Sequence, residues 1–329
     1  MEHALVTGGC GFLGSWIVRQ LVEGGISVRV LALPGESHEN IEDLDVEVLE
    51  GNVLNTEEVR RAVDGVDTVF HAAAVYEDWA PDPTRMYDVN LRGTFYVLAA
   101  AREAGVERVI YTASIASLGR SGSGPQGNEN TPYDAWDIDF PYSRSKFFSR
   151  EIAECFSDFG LDVRIVCPGI VIGPGDLRPT PSGRLIINSF MPGPAPWFEG
   201  GASYVDVRDA ARVHLLAASH GRAGERYLAT AHNLSNLELA RATDRATGRR
   251  RRYLKLPVPV ARALIRGMEK QATRRGKRPL FSSVFVEYSL KPSYFDNKRA
   301  RQELGAEFRP IEESIRDAVD YFRARGRIG

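Results

Sequence analysis

The segment Tyr142-Ser143-Arg144-Ser145-Lys146 sets a phenol and an ammonium four residues apart. In a helix, residues i and i+4 share one face, a turn apart. An ammonium held there favours the phenolate. The tyrosine can then exchange a proton at a pH where a free phenol, with pKa about 10, does so poorly. At an effective dielectric near 20 and a separation of roughly 5 Å, Coulomb's law gives about 3 kcal/mol, enough to lower the phenol's pKa by about 2. The spacing is common by chance, so its meaning rests on the elements that would position it.

Those elements begin at residues 3–7, which read as a short buried strand. Gly8, Gly11 and Gly14 follow in G-x-x-G-x-x-G spacing, and an amphipathic helix runs from Ser15 to about Glu23. Strand, glycine turn and helix in that order suit a dinucleotide: missing side chains admit a pyrophosphate, and the helix N-terminus faces its charge. Gly8, Gly11, Phe12, Leu13 and Gly14 are therefore candidate cofactor contacts. Further strand patterns lie at 27–32, 46–49, 67–71, 108–112 and 162–167, with helical patterns at 55–64, 83–104 and 142–159. This alternation predicts an α/β fold, a Rossmann-like doubly wound parallel sheet with ligands at the carboxyl ends of its strands. After the third strand come Asn52 and Val53, placed for an adenine; after the fourth come Ala72, Ala73 and Ala74, small enough for a cofactor to lie against. Ser114 ends the fifth and would converge with Tyr142 above the sheet; by itself it reads as a turn hydroxyl bonded to backbone.

At 329 residues the chain exceeds what one core usually holds. The expected division is a cofactor domain, 1–173 plus about 204–230, and a smaller, discontinuous substrate domain, about 174–203 and 231–329. A net charge of −1 argues against a polyanion-binding protein, and no nucleic acid is expected. Three scattered cysteines suggest neither a disulfide framework nor a metal site. With no long apolar run or leader pattern, a cytoplasmic protein is expected.

Thr7-Gly8-x-x-Gly11-Phe12-Leu13-Gly14, His71-x-Ala73-Ala74, Asn90 before Gly93-Thr94, Ser114, Tyr142-x-x-x-Lys146 and Tyr204-Val205-Asp206-Val207-x-Asp209 together resemble the extended short-chain dehydrogenase/reductases. Pro168–Asp176 resembles the dihydroflavonol-4-reductase and 3β-hydroxysteroid dehydrogenase branch. Trp79–Pro83 and Pro179–Arg184 resemble bacterial hopanoid-associated epimerase-like proteins. The resemblance implies an NAD(P)-dependent oxidoreductase acting on a secondary alcohol or ketone. In it Tyr142 exchanges the proton, Ser114 holds the substrate oxygen, Lys146 also bonds the nicotinamide ribose, and Pro168–Val171 lie by the carboxamide. It also implies a homodimer through the helices at 83–104 and 142–159. One alternative is a nucleotide-sugar epimerase that uses the same residues with tightly held NAD. A remote one is a non-catalytic cofactor-sensing protein.

The end of the second strand normally reads the adenosine ribose, with an acid for NAD or a base for NADP. Here Leu33 stands there, and from Ala32 to Val59 nine acids face no Lys or Arg. That predicts a modest lean to NAD(H), unless Arg29 or a distant cation reaches a 2′-phosphate. Candidate substrate walls are Val75, Tyr76, Trp79, Ile115, Trp136 and Arg178, a mostly apolar set suited to a steroid-, flavonoid- or β-keto-acyl-like compound. Loop 119–141, with Gly122, Gly124 and Gly127, is a candidate lid. Residues 241–278 hold 14 Lys or Arg against two acids. They read as a solvated basic face, a dock for an anionic carrier such as coenzyme A, or a membrane surface, with Val260, Leu264, Ile265 and Met268 as its apolar stripe.

Overall fold

The apolar run after His3 forms a strand whose last four residues are buried, as a central strand covered on both faces requires. A computed structural model describes residues 1–121, 124, 126–279 and 282–328. The first half runs β1 (His3–Thr7), α1 (Phe12–Glu23), β2 (Ser27–Ala32), β3 (Glu47–Glu50), α2 (Thr56–Val63), β4 (Thr68–His71), α3 (Thr84–Tyr87), α4 (Thr94–Glu103), β5 (Arg108–Thr112), α5 (Pro141–Asp158) and β6 (Val163–Pro168). The second half runs β7 (Ile170–Ile172), α6 (Pro181–Asn188), β8 (Ala195–Trp197), β9 (Gly201–Asp206), α7 (Val207–His220), β10 (Arg226–Ala229), β11 (His232–Ser235), α8 (Asn236–Thr247), β12 (Tyr253–Lys255), α9 (Val258–Arg274), α10 (Ser283–Leu290), α11 (Lys298–Leu304) and α12 (Ile311–Ala324).

Seven parallel strands form the main sheet in the order β3-β2-β1-β4-β5-β6-β10. One face is covered by α1, α7 and α11, through Ile17, Leu21, Ala211 and Leu304. The other is covered by α2, α4 and α5, through Val59, Leu98 and Ala153. The order reverses between β1 and β4, which opens a crevice at their carboxyl ends. Chain-local signals explain the helix ends. Asn55 caps α2 by accepting from the N–H groups of Glu57 and Glu58. The capping box Ser235–Glu238 opens α8. Pro141 opens α5 at the first helical position, where no N–H is needed.

The helix expected at 83–104 runs without a break from Thr84 to Glu103, with a π-helical segment, Asp88–Gly93, that carries the buried Asn90. The Pro- and Gly-rich stretches 173–183 and 192–201 contain the start of α6 and all of β8. Thr180 caps α6 and Pro181 sits at its first position, so a Pro-rich stretch starts a helix instead of preventing one. β7 leaves the main sheet to pair with β9, beside β11, while α11, placed by sequence in the substrate domain, packs on the main sheet's layer.

Among the described residues of loop 119–141, only Phe140 lines the cleft. Arg120 is buried against Asp134, Ser121 Oγ donates to Pro292 O, and Gly127 N donates to Tyr294 O at 2.8 Å. These contacts tie the loop to 292–296; Gly122 lies outside the described residues. Among the described residues, no helix is long and apolar enough to cross a membrane.

Candidate active site

The turn after β1 is built so that only glycine fits. Gly8 has φ +72°, and a Cβ there would stand 2.8 Å from Ala73 Cα at the end of β4. A Cβ on Gly14 would collide with the Gly8 carbonyl oxygen. The N-cap of α1 is Gly11, and no side chain bonds the first-turn N–H groups. These donors and the positive end of the helix dipole are thus free for an anion. The residues present fit a dinucleotide pyrophosphate.

Around this turn opens a cleft of about 1430 Å³. It is lined by every cofactor candidate named from sequence: Gly8, Gly11, Phe12, Leu13, Gly14, Leu33, Asn52, Val53, Ala72, Ala73, Ala74, Tyr142, Lys146, Pro168 and Val171. The reason is topological: most stand at the carboxyl end of a strand or in the first turn of the next helix, Lys146 one turn further along α5.

Tyr142 and Lys146 share one face of α5, as their spacing predicts. Lys146 is only 4% exposed; its Nζ donates to Thr112 O at 2.8 Å, at the end of β5, and lies 5.3 Å from the centre of the Tyr111 ring. Burial lowers its pKa to about 8. The expectation that Lys146 lowers the Tyr142 pKa is overturned. Burial raises that phenol to about 12, and the opposing influence is a hydrogen bond with Ser114, not the ammonium. Tyr142 also lies against the Tyr76 ring, with centroids 4.4 Å apart. Lys146's charge is felt instead at His71, which burial and that charge hold neutral with a pKa near 3.

Ser114 is half of what the plain reading said. Its Oγ accepts from Ala116 N at 3.1 Å, a turn bond, and its hydroxyl also meets the Tyr142 phenol in the cleft. Asn90 is fully engaged: it accepts from Val75 N at 2.8 Å and donates to Val75 O and Ser145 Oγ. It thereby positions the wall that carries Tyr76. Thr94 Oγ1 donates to Asn90 O, so it accepts from His71 Nε2–H, and His71 Nδ1 accepts from Thr7 Oγ1. These side chains brace the strand ends.

Of the substrate candidates, Val75, Tyr76, Ile115 and Arg178 line the cleft, but Trp79 and Trp136 do not. Trp136 is 52% exposed and packs on Tyr133 and Phe147 along the outer side of α5, because its loop is tied away from the cleft. Glu77 still lines the cleft, and Asp78 after it meets Arg184 and Arg278 at the cleft's edge. The wall is instead supplied by residues that sequence reasoning missed: Trp197, Phe198, Tyr204, Met268, Phe285 and Tyr288. They come from four separate segments and share no local motif. Arg184, also missed, faces Asp78 and Asp176; burial raises the Asp176 pKa to about 6.

Six of the 14 cations of the basic segment, Arg266 with Glu287 among them, have an ion-pair partner among the described residues. Arg245 meets Glu312, Arg251 meets Asp244, Lys255 meets Glu199, Arg262 meets Glu287 and Arg278 meets Asp78.

Comparison with known proteins agrees with this geometry. Residues 4–229 match the NAD dependent epimerase/dehydratase family. A putative dihydroflavonol 4-reductase of Synechocystis is 32% identical, over 98% of this chain and 95% of its own. Sterol demethylase protein B of Methylococcus capsulatus is also 32% identical, over 98% of this chain and 99% of its own. The crystal structure of gox2253 superposes with a TM-score of 0.87 at 33% identity, covering 100% of both chains. The chain belongs to the NAD dependent epimerase/dehydratase family, within the extended short-chain dehydrogenase/reductases, and is an enzyme of that NAD(P)-dependent class.

Proposed function

We propose that this enzyme interconverts a hydrophobic ketone and the corresponding secondary alcohol. The observation that carries the reading is one continuous cleft in which Ser114 and Tyr142 stand between a glycine turn and a wall of aromatic residues. The bound dinucleotide supplies or takes the hydride. Tyr142 donates its hydroxyl proton to the substrate oxygen as that oxygen gains charge. With a pKa pushed up to about 12, the phenol is protonated at neutral pH, which suits reduction. Ser114 donates to the same oxygen the O–H that otherwise meets the Tyr142 phenol. Lys146 holds its charge on the same helix face and is the residue to bond the nicotinamide ribose.

Charge balance at the substrate end favours a neutral ring or acyl compound over a nucleotide sugar. Arg184 and Arg278 are matched there by Asp78 and Asp176, and Arg251 by Asp244, so these three arginines are not free to hold a diphosphate. The two relatives above, whose names refer to a dihydroflavonol and a sterol, support the same class. A cofactor-absorbance screen of steroid-like, flavonoid-like and β-keto-acyl ketones tests the reading. Stoichiometric NAD in the purified protein, with no turnover of any ketone, would replace it with sugar epimerisation.

The lean to NAD(H) rests on Leu33, half exposed at the end of β2, with Glu36 lining the same end. Arg29 is turned away onto Glu47 and the carbonyls of Ala62 and Asp64. A homodimer through α4 and α5 fits the exposed Phe95, Trp136, Phe148 and Phe159 on that side. Peripheral contact with an anionic membrane fits α9, where Val260, Leu264 and Met268 are exposed at i, i+4 and i+8 beside Lys270 and Arg274.

A further inference from the structure

A strap formed by residues 173–180 crosses over the glycine turn. Asn40 Nδ2 bridges the two, donating to Cys10 O at 3.2 Å and to Gly175 O at 3.1 Å. Trp16, in the first turns of α1, donates its Nε1–H to Pro174 O at 2.9 Å. Pro174 and Pro179 stiffen the strap, and Asp176 closes its base by accepting from Thr180 N and Oγ1. Arg178 stands on this strap, exposed and lining the cleft, with no ion pair or hydrogen bond among the described residues. Its charge reaches the glycine turn, where it opposes the rise that burial imposes on the Cys10 thiol to about 12.

That end of the cleft is otherwise short of positive charge. The uncapped start of α1 contributes only partial charge, on the order of half an elementary unit. The stretch from Ala32 to Val59 has nine acids and no Lys or Arg, and Glu36 lines the cleft. We propose that Arg178 is the cation that binds the dinucleotide's phosphate, supplied from the second half of the chain and held ready by the Asn40 and Trp16 bonds. Arg178 is thereby a cofactor-binding residue, not a substrate wall. The phosphate is either the pyrophosphate common to NAD and NADP or the ribose 2′-phosphate of NADP alone. In the second case the lean to NAD(H) would be offset by this one side chain.

The test measures binding, not turnover, so it does not depend on the ketone reading. Isothermal titration of wild type, Arg178→Ala and Arg178→Lys with NADH, NADPH and ADP-ribose is paired with thermal melts. Arg178→Ala is expected to bind about tenfold more weakly, the size of one lost charge-assisted bond, with the loss shrinking as salt rises. Arg178→Lys is expected to recover part of the loss, with the melting temperature unchanged. Equal loss for all three ligands assigns the pyrophosphate; loss for NADPH alone assigns the 2′-phosphate. Affinities within twofold of wild type for every ligand overturn the proposal. So does a lowered melting temperature in both variants, which would make Arg178 structural. Wild type that binds no dinucleotide removes the cofactor assignment and this proposal with it.

Discussion

The two ends of the cleft are made differently. The cofactor end consists of main chain and small residues where consecutive strands stop, so its parts are close in space because the sheet is parallel. The substrate end consists of large side chains from α6, β8, β9, α9 and α10, joined by small sheets and by arginine–aspartate pairs. The first kind of site is defined by what is absent, namely Cβ atoms and caps. The second is defined by which distant side chains meet. The first should therefore tolerate almost no added atom, whereas the second should respond to substitution by changing which compound it accepts.

The largest effect expected is at the proton donor. Tyr142→Phe should lower kcat by at least about 10²-fold while NADH affinity stays within a few fold, by stopped-flow and titration. Retained turnover would place the proton source elsewhere. Next comes the glycine turn. Gly14→Ala forces a methyl group into the Gly8 carbonyl, so dinucleotide binding should be lost with a lowered melting temperature. Intact binding would show that the turn can shift.

Lys146 separates stability from function. Its folded pKa, near 8, lies below the usual lysine value. The folded state therefore disfavours the charged form, and below pH 8 this costs about 3 kcal/mol. Between pH 8 and about 10.5 the unfolded chain binds the extra proton, so this group's contribution makes the protein more stable as pH rises. Lys146→Met should thus be no less stable than wild type at pH 7, by denaturant titration, with the gap narrowing towards pH 10. It should be nearly inactive. The reductase rate of wild type should fall above pH 8, as the ammonium is lost. A gap that widens with pH would contradict this burial cost.

At the substrate end the effects should be smaller and selective. Phe198→Ala or Phe285→Ala should raise KM for bulky ketones severalfold and leave NADH binding unchanged, whereas Trp136→Ala should leave both parameters unchanged. Smallest is the surface of α9. Leu264→Glu should reduce co-sedimentation with phosphatidylglycerol vesicles at low salt and leave activity in solution unaltered; no wild-type binding to such vesicles rules out membrane contact.

The strand–turn–helix order, the glycine spacing, Ser114 and the Tyr142–Lys146 pair were legible because each is local: a turn residue, a strand end, or two residues one helical turn apart. The same locality explains the failures. Trp79 and Trp136 look like substrate walls by side-chain type, yet the path of their loops takes them out of the cleft. The influence of Lys146 on Tyr142 follows from spacing in a uniform medium. In the fold, burial acts on each separately, and Thr112 O holds the ammonium.

The amino-acid sequence alone thus determined the sheet, the dinucleotide turn and the identity of the reactive side chains, because periodicity and short-range sterics are written into neighbouring residues. Only the tertiary structure decided what surrounds them. It decided which aromatics reach the cleft, which six cations of the basic segment meet an acid, and that Arg178 lies over the glycine turn. Those outcomes depend on contacts between residues far apart in the chain, such as Asn40 with Gly175 and Asp78 with Arg278, and no local pattern encodes them.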